Sequence, residues 1–288
     1  MSKRDIRRKF GQNYLSDPAI IFEMGQAIGP YSKDKFLEVG PGMGALTKTL
    51  NQKDIKILAI EVDKDNIDYL SKNFQGPAEF QFINDDILKT SLDFLEAGTF
   101  RVVGNLPYNI STQIILRFIH WSKYIQDMHF LVQKEVAEKI TGTIKTKNWG
   151  KLSIKIAAFF NTEILFDVPP ESFDIKPKVM SSFIRMAPKQ NLEFDSKLVT
   201  NLYKVIDLSF SSRRKNIKNN LKKQNFDWDN LDIDFNLRPE ELSLNDYVEL
   251  LPTFLLPPSP FLLPPSSFLL PPSALLLPPS SFRRPPSA

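Results

Sequence analysis

Four short apolar runs early in the chain each close on glycines or polar side chains, and this pattern restricts the fold more than any other feature. Phe36-Leu37-Glu38-Val39 runs into Gly40-Pro41-Gly42-Met43-Gly44, and Ile55 to Ile60 ends in Glu61. Phe80 to Ile83 ends in Asn84-Asp85-Asp86, and Val102-Val103-Gly104 ends in Asn105-Leu106-Pro107-Tyr108. Such runs read as buried strands, and Leu46 to Leu50 begins a helix after the first of them. Strands alternating with helices predict an α/β fold with a mostly parallel, doubly wound sheet, in which ligands bind outside the carboxyl ends of the strands. A glycine-rich turn between strand and helix lets backbone approach a ligand closely and aims helix N–H groups at it. Glu61 lies about 20 residues beyond those glycines, where an acid can accept from ribose hydroxyls. The spacing is Gly-x-Gly-x-Gly rather than Gly-x-Gly-x-x-Gly, which counts against a nicotinamide cofactor.

The fourth run carries a different chemistry. Pro107 fixes one φ angle and donates no hydrogen bond, so neighbouring carbonyls can point outward. Asn105 adds an acceptor oxygen, and Tyr108 a flat ring beside it. Acceptors next to a stacking face suit a planar ring with an exocyclic amine. Taken alone, the stretch also reads as a strand and an ordinary Asn-Pro turn. Taken with the glycines, Glu61 and Asp86, it describes an adenosine cofactor held next to a pocket for an amine-bearing ring.

The rest of the 288 residues narrows the class. There are no cysteines, and two histidines, His120 and His129, cannot form a His-rich metal cluster. No apolar run is long enough for a membrane span, and the basic N-terminus lacks the apolar segment of a secretory signal, so the expected location is the cytoplasm. The net charge is only +4 but unevenly spread. Residues 1–10 carry five bases and one acid, Lys139 to Lys155 five lysines and no acid, Ile175 to Asn191 four bases and no acid, and Arg213 to Lys223 six bases and no acid. Any one run fits a solvated helix face; four together are the footprint of a polyanion-binding surface, and point to nucleic acid.

Further along, Phe10-Gly11-Gln12-Asn13-Tyr14-Leu15 reads as a loop, and Ser16-Asp17-Pro18 as the start of a helix that Gly29-Pro30 ends. Ser111 or Thr112 can cap a helix running to Ile119; further helices are expected from Val132 to Ile140 and from Leu152 to Phe160, and strands from Ile164 to Val168 and Ser181 to Met186. The loop Phe173-Asp174-Ile175-Lys176-Pro177-Lys178-Val179 sets an aromatic among bases, which suits base stacking; Phe173 as a core plug is the competing reading. Beyond a boundary near 187–195 the chain reads as helical. Leu198, Leu202, Val205 and Ile206 share a face, Arg213 to Lys223 forms a basic helix, and Ser243 with Asp246 marks another start. Five heptads from Phe254 to Ala288 are each built around Pro-Pro-Ser. Paired prolines forbid a helix there, so polyproline-like disorder is expected, with a tandem DNA repeat as its source.

Several ordered stretches carry a resemblance over roughly residues 3–250: Lys9 to Leu15, Glu38-Val39-Gly40-Pro41-Gly42, Glu61-Val62-Asp63, Gly104 to Ser111, Gln133-Lys134-Glu135-Val136, Gly150-Lys151-Leu152-Ser153, Phe173 to Ser181, and Phe210 to Leu221 around Arg213-Arg214-Lys215. The chain resembles the ribosomal RNA adenine N6-dimethyltransferases, in particular the bacterial small-subunit (kasugamycin-sensitivity) type. That resemblance implies a Rossmann-like class I methyltransferase with a seven-stranded sheet in residues 1–190, a small α-helical RNA- or ribosome-contact domain in 191–251, and a tail from 252 to 288 without family counterpart. It implies S-adenosylmethionine as methyl donor, held by Asn13, Leu15, Gly40, Glu61, Asp86 and Asn105. It implies a target site made by Asn105, Leu106, Pro107, Tyr108 and Phe173, with Tyr108 and Phe173 sandwiching a flipped adenine, and RNA contacts from Arg213, Arg214, Lys215 and Lys218. The implied action is dimethylation of two adjacent adenines in the 3′-terminal hairpin of small-subunit RNA, with a part in late subunit assembly, by a monomer without metal or membrane contact. Ile175 departs from the proline usual there, and Tyr14 replaces the usual Phe. The rival readings are a large-subunit methylase of the macrolide-resistance type, which the Phe210 to Leu221 stretch disfavours, and a non-catalytic assembly or transcription factor, which the intact Asn105 to Tyr108 loop disfavours. A nicotinamide dehydrogenase is a distant third.

Overall fold

A computed structural model describes residues 13–189, 196–212, 214–224, 228 and 231–254. Strands β1 (Lys35–Val39), β2 (Lys56–Glu61), β3 (Glu79–Asn84), β4 (Phe100–Asn105), β5 (Ile125–Gln133), β6 (Phe160–Val168) and β7 (Ser181–Pro188) form one seven-stranded sheet in the order β3-β2-β1-β4-β5-β7-β6. β1 to β5 pair in parallel; β7 runs antiparallel between β5 and β6. The chain therefore winds outward from β1 to β3 and resumes on the other side with β4. That reversal opens a crevice between the carboxyl ends of β1 and β4. The two strands meet closely there: a Cβ on Gly104 would lie 2.6 Å from the Val39 carbonyl oxygen.

Helix α1 (Pro18–Ile28) begins as the sequence predicts, with the Asp17 carboxylate accepting from the N–H groups of Ala19 and Ile20, and ends at Gly29 with φ 54°. The helix expected after the glycines is only α2 (Thr47–Leu50), one short turn. α3 (Lys64–Asn73) follows β2; α4 (Ser111–Arg117) follows the Asn105–Tyr108 loop; α5 (Lys134–Ile140) and α6 (Lys151–Ala157) lie between β5 and β6. Ile110, not Ser111 or Thr112, occupies the cap position of α4, and the Ser111 hydroxyl donates to the Tyr108 carbonyl instead.

The residues taken alone miss β5, since the pattern at its end predicts a helix from Val132. The cause is polar residues inside the strand. Asp127 and His129 are 4% and 1% exposed, and Arg101 on the adjacent β4 is 5% exposed. Arg101 donates from Nε and Nη2 to both oxygens of Asp127 (2.8 and 2.9 Å), from Nη1 to Asp34 (2.9 Å) and the Gly29 carbonyl, and from Nη2 to the Ile28 carbonyl. One guanidinium thus joins β4, β5 and the end of α1 with its charge paired twice. His129 stays neutral beside it, burial pulling its pKa down to about 4.

The C-terminal helices are α7 (Ser196–Ser209), α8 (Ile217–Leu221) and α9 (Leu244–Phe254). Ser243 and Asp246 form the reciprocal cap of α9 that their spacing predicts. The basic stretch is not one helix. Among the described residues of that stretch only Ile217–Leu221 is helical, because Asn216 caps it from outside and the Asn220 side chain bonds the backbone of Ser212 and Lys215. Val199, Leu202, Ile206, Leu221 and Tyr247 belong to the same contiguous core as Val102, Phe118 and Phe130 of the sheet layer, and the Trp149 indole N–H donates to the Leu242 carbonyl at 2.8 Å. Residues on both sides of the expected 190/191 boundary therefore share one core. α9 runs to Phe254, past the expected boundary at 252. Arg213 and the heptads beyond residue 254 lie outside the described residues.

Removing one partner of a buried ion pair costs about 3–5 kcal/mol, because the other charge is left uncompensated. Arg101→Met is expected to lower unfolding stability by about that much in urea titration. A change under about 1 kcal/mol contradicts a structural role for the guanidinium.

Candidate active site

The carboxyl ends of β1, β2, β3 and β4 frame a cavity of about 860 Å³. Among its lining residues are Asn13, Tyr14, Leu15, Glu38, Gly40, Gly42, Glu61, Asp85, Asp86, Asn105, Leu106, Pro107 and Tyr108. Every cofactor residue expected from the sequence is in that set. Its size matches a cofactor-scale ligand.

Each wall has a physical origin. Gly40 (φ 64°) and Gly42 (φ 56°) are left-handed, and a Cβ on Gly40 would meet no atom within 4 Å. A Cβ on Gly42 would lie 2.7 Å from the ring of Tyr14. The turn is thus held against the N-terminal arm by close contact, and the Tyr14 hydroxyl pairs with the Asn66 amide on α3. Glu61 stands at the end of β2, 3% exposed, accepting from Gly42 N–H at 3.0 Å and Asp63 N–H at 2.9 Å. Burial raises its pKa, and those two backbone donors oppose the rise. Asp86 accepts from Leu88 N–H at 2.9 Å, which shapes the turn after β3.

On the β4 side, the Asn105 amide nitrogen donates to the Asn13 carbonyl at 2.7 Å. Only the NH₂ can make that bond, so Oδ1 is left as the side chain's acceptor. Leu106 is buried, its N–H bonded to the Leu131 carbonyl. Tyr108 is half-buried, with its hydroxyl 2.5 Å from Ser181 Oγ, which fixes the plane of the ring.

Phe173 is placed elsewhere. It is 3% exposed, packs in the cluster that holds Leu15, Val103, Val168 and Phe183, and is not among the cavity-lining residues. Of the two readings of its loop, this conformation holds the core plug, not the second stacking face. The loop acts on the site differently. Leu15 and Phe173 form an antiparallel bridge, Ser16 N–H donates to the Ser172 carbonyl at 2.8 Å, and Asp174 N–H donates to the Tyr14 carbonyl at 3.0 Å. The 172–174 turn thereby fixes the arm whose Asn13 carbonyl orients Asn105.

Glu38 is a site residue that the strand pattern alone did not single out. It is 1% exposed, lines the cavity, and its Oε2 has no hydrogen-bond partner among the described residues. Burial pushes it up to about 7; nearby Thr47 works against the rise and the Glu61 charge adds to it. A charged-type residue as the penultimate position of an otherwise apolar strand, two residues before the glycines, was the available signal.

The expected RNA contacts divide. Arg214, Lys215 and Lys218 are exposed. Several bases of the other runs are instead paired by acids from elsewhere in the chain: Lys139 by Glu135, Lys151 and Lys155 by Asp207, Lys176 by Glu171 and Arg185 by Glu163. Among the described residues no group of three or more His, Cys, Asp or Glu side chains could hold a metal, and no helix is long and apolar enough to cross a membrane.

Comparison with known proteins gives the family. The family model described as ribosomal RNA adenine dimethylase matches residues 3–251. The Ribosomal RNA small subunit methyltransferase A of Legionella pneumophila is 42% identical over 247 residues, 85% of this chain and 96% of that protein. Its counterpart of the same name in Coxiella burnetii is 36% identical over 255 residues, 87% of this chain and 98% of that protein. Among solved structures, a dimethyladenosine transferase from Plasmodium falciparum aligns with TM-score 0.66 at 23% identity, covering 82% of this chain and 95% of that one. The 23S rRNA methyltransferase ErmE aligns with TM-score 0.64 at 21% identity, covering 84% and 99%. The two solved structures share the fold; the sequence match over nearly the whole described chain shows more, and this protein belongs to the ribosomal RNA adenine dimethylase family.

Proposed function

We propose that this chain dimethylates N6 of two adjacent adenines in the 3′-terminal hairpin of small-subunit ribosomal RNA, in the cytoplasm, as a monomer, and with a part in late subunit assembly. The observation that carries the reading is the Asn105 side chain, which lines the cavity and is clamped through its NH₂, leaving its oxygen as the acceptor. The small-subunit choice is supported by the relatives at 36–42% identity, which bear that name.

The cofactor is S-adenosylmethionine, and the cavity fits it chemically. Gly40 leaves open space where its amino-acid end would lie, the unpartnered Oε2 of buried Glu38 would face its ammonium, Glu61 would hold the ribose and Asp86 the adenine amine, with Asn13 and Leu15 at the mouth. Bound there, it supplies a methyl group already activated for transfer, so no strong base is required of the protein.

The remaining task is to make an aromatic amine nucleophilic. Its lone pair is delocalised into the ring. The Asn105 oxygen accepts one N–H and the Leu106 carbonyl the other, which draws the lone pair out of conjugation. Both acceptors are fixed dipoles, and they stabilise the positive charge that develops on nitrogen. Neither is basic enough to keep the proton, which passes to water. The base must leave its stack, at about a few kcal/mol, and the Tyr108 ring, held by Ser181, offsets part of that. Pro107 keeps the loop stiff, and Phe173 contributes by anchoring the arm that holds Asn105. Residues 191–251 form the RNA- or ribosome-contact part, through Arg213, Arg214, Lys215 and Lys218.

Asn105→Ala is expected to lower kcat by about 10²–10³, the usual loss for one preorganised electrostatic contact, with the Kd for S-adenosylhomocysteine within a few-fold of wild type. Equal losses in both contradict the assignment. Replacing Arg214, Lys215 and Lys218 together by alanine is expected to weaken RNA binding and to lower the slope of log K against log salt by about 2. An unchanged slope contradicts a contact there.

Glu38 gives a pH dependence. Its folded pKa of about 7 lies above the ordinary value of 4.5, so the folded state holds a proton that the unfolded state has released. Stability from neutral Glu38 is full below the ordinary value and is lost as pH rises through 7. Urea unfolding of the cofactor-free protein is expected to show Glu38→Gln gaining about 1–3 kcal/mol over wild type between pH 5 and pH 8. Parallel pH profiles contradict the buried carboxyl.

A further inference from the structure

Arg117 is the last residue of α4, the helix that starts three residues after Tyr108. Its Nη1 donates to the Ile87 carbonyl and its Nη2 to the Thr90 carbonyl. Those carbonyls flank the turn after β3. Asp85, Asp86, Ile87 and Leu88 of this segment line the cavity, while Arg117 itself is not among the lining residues.

The turn has its own bonds. Lys89 and Thr90 N–H groups donate to the Asp86 carbonyl at 2.8 and 2.9 Å, and the Thr90 hydroxyl donates to Asp85 at 2.6 Å. These set its internal shape. Asp85 N–H bonds the Glu61 carbonyl at 3.1 Å, which joins it to β2. The Arg117 fork joins it to the opposite wall, the helix that carries the Asn105–Tyr108 loop. The guanidinium is half-buried; burial lowers its pKa while the Asp86 and Asp85 charges oppose the fall.

We propose that Arg117 is a positioning residue for the cofactor: it holds the Asp86 turn at a set place relative to the target loop, so cofactor affinity depends on a side chain that lines no part of the cavity. This rests on the reading that Asp86 takes the adenine amine. A planar fork serves two carbonyls at once, whereas the single ammonium of lysine serves them poorly.

The test uses the full chain with Arg117→Ala, Arg117→Lys and Asp86→Ala. Calorimetry with S-adenosylhomocysteine is expected to show Kd raised about tenfold in Arg117→Ala, as the loss of charge-assisted hydrogen bonds implies, and partly restored in Arg117→Lys. The KM for S-adenosylmethionine should rise in step, with kcat at saturation and the KM for RNA within about threefold of wild type and the cofactor-free melting temperature little changed. Unchanged S-adenosylhomocysteine affinity in Arg117→Ala, beside a loss in Asp86→Ala, overturns the proposal and leaves the adenine site standing. Unchanged affinity in Asp86→Ala overturns the adenine site itself. A fall in melting temperature, kcat and both KM-defined affinities together in Arg117→Ala shows a merely structural residue and also overturns the proposal.

Discussion

The hydrogen bond from the Asn105 amide to the Asn13 carbonyl is the contact through which the two halves of the site meet. Asn105 ends β4, in the middle of the sheet, and its backbone place is set by flanking parallel strands. Asn13 to Asp17 lie outside any helix or strand, so the Asn13 carbonyl is only as well placed as the contacts that hold this segment. Three attachments place it: the 172–174 turn bonds residues 14, 16 and 17, the Tyr14 ring lies over Gly42, and the Tyr14 hydroxyl reaches Asn66. A side-chain acceptor oriented in this way costs no reorganisation when a substrate amine arrives, which is what electrostatic catalysis asks of a site.

The same attachments explain why Phe173 lies in the core. Its backbone pairs with Leu15, so its ring points into the cluster beneath the arm. A loop pattern of one aromatic among lysines holds no information about that pairing, and the family resemblance drew attention to stacking. The strands bearing the glycines, Glu61, Asp86 and Asn105 were legible because each is a continuous apolar run with a polar end, and the sheet order follows from their alternation with helices. β5 was not legible from its own residues, because Asp127 and His129 break the run; Asp127 is buried against Arg101 of β4, and His129 is buried neutral. α2 was readable as a start but not as a single turn. Arg117 was hidden because its bonds to the Ile87 and Thr90 carbonyls are tertiary, and a linear pattern does not show them.

The charge runs teach a similar lesson. Four basic stretches together suggest one polyanion surface, but folding brings Glu135, Asp207, Glu171 and Glu163 against bases of two of them. Exposed Arg214, Lys215 and Lys218 are set on a turn and a short helix, where asparagine side chains replace the expected helical bonds. The C-terminal helices share the core of the sheet layer, and Trp149 bonds across to Leu242, so these bases sit on the same packed core as the cavity.

The measurement that bears most directly on this account is methyl transfer from labelled S-adenosylmethionine to small ribosomal subunits from cells lacking the modification, with large subunits and the Asn105→Ala protein alongside. The account predicts dimethyladenosine on the small-subunit RNA, absent with large subunits and lost in the variant. Label on large-subunit RNA, or tight subunit binding with no transfer, would contradict it.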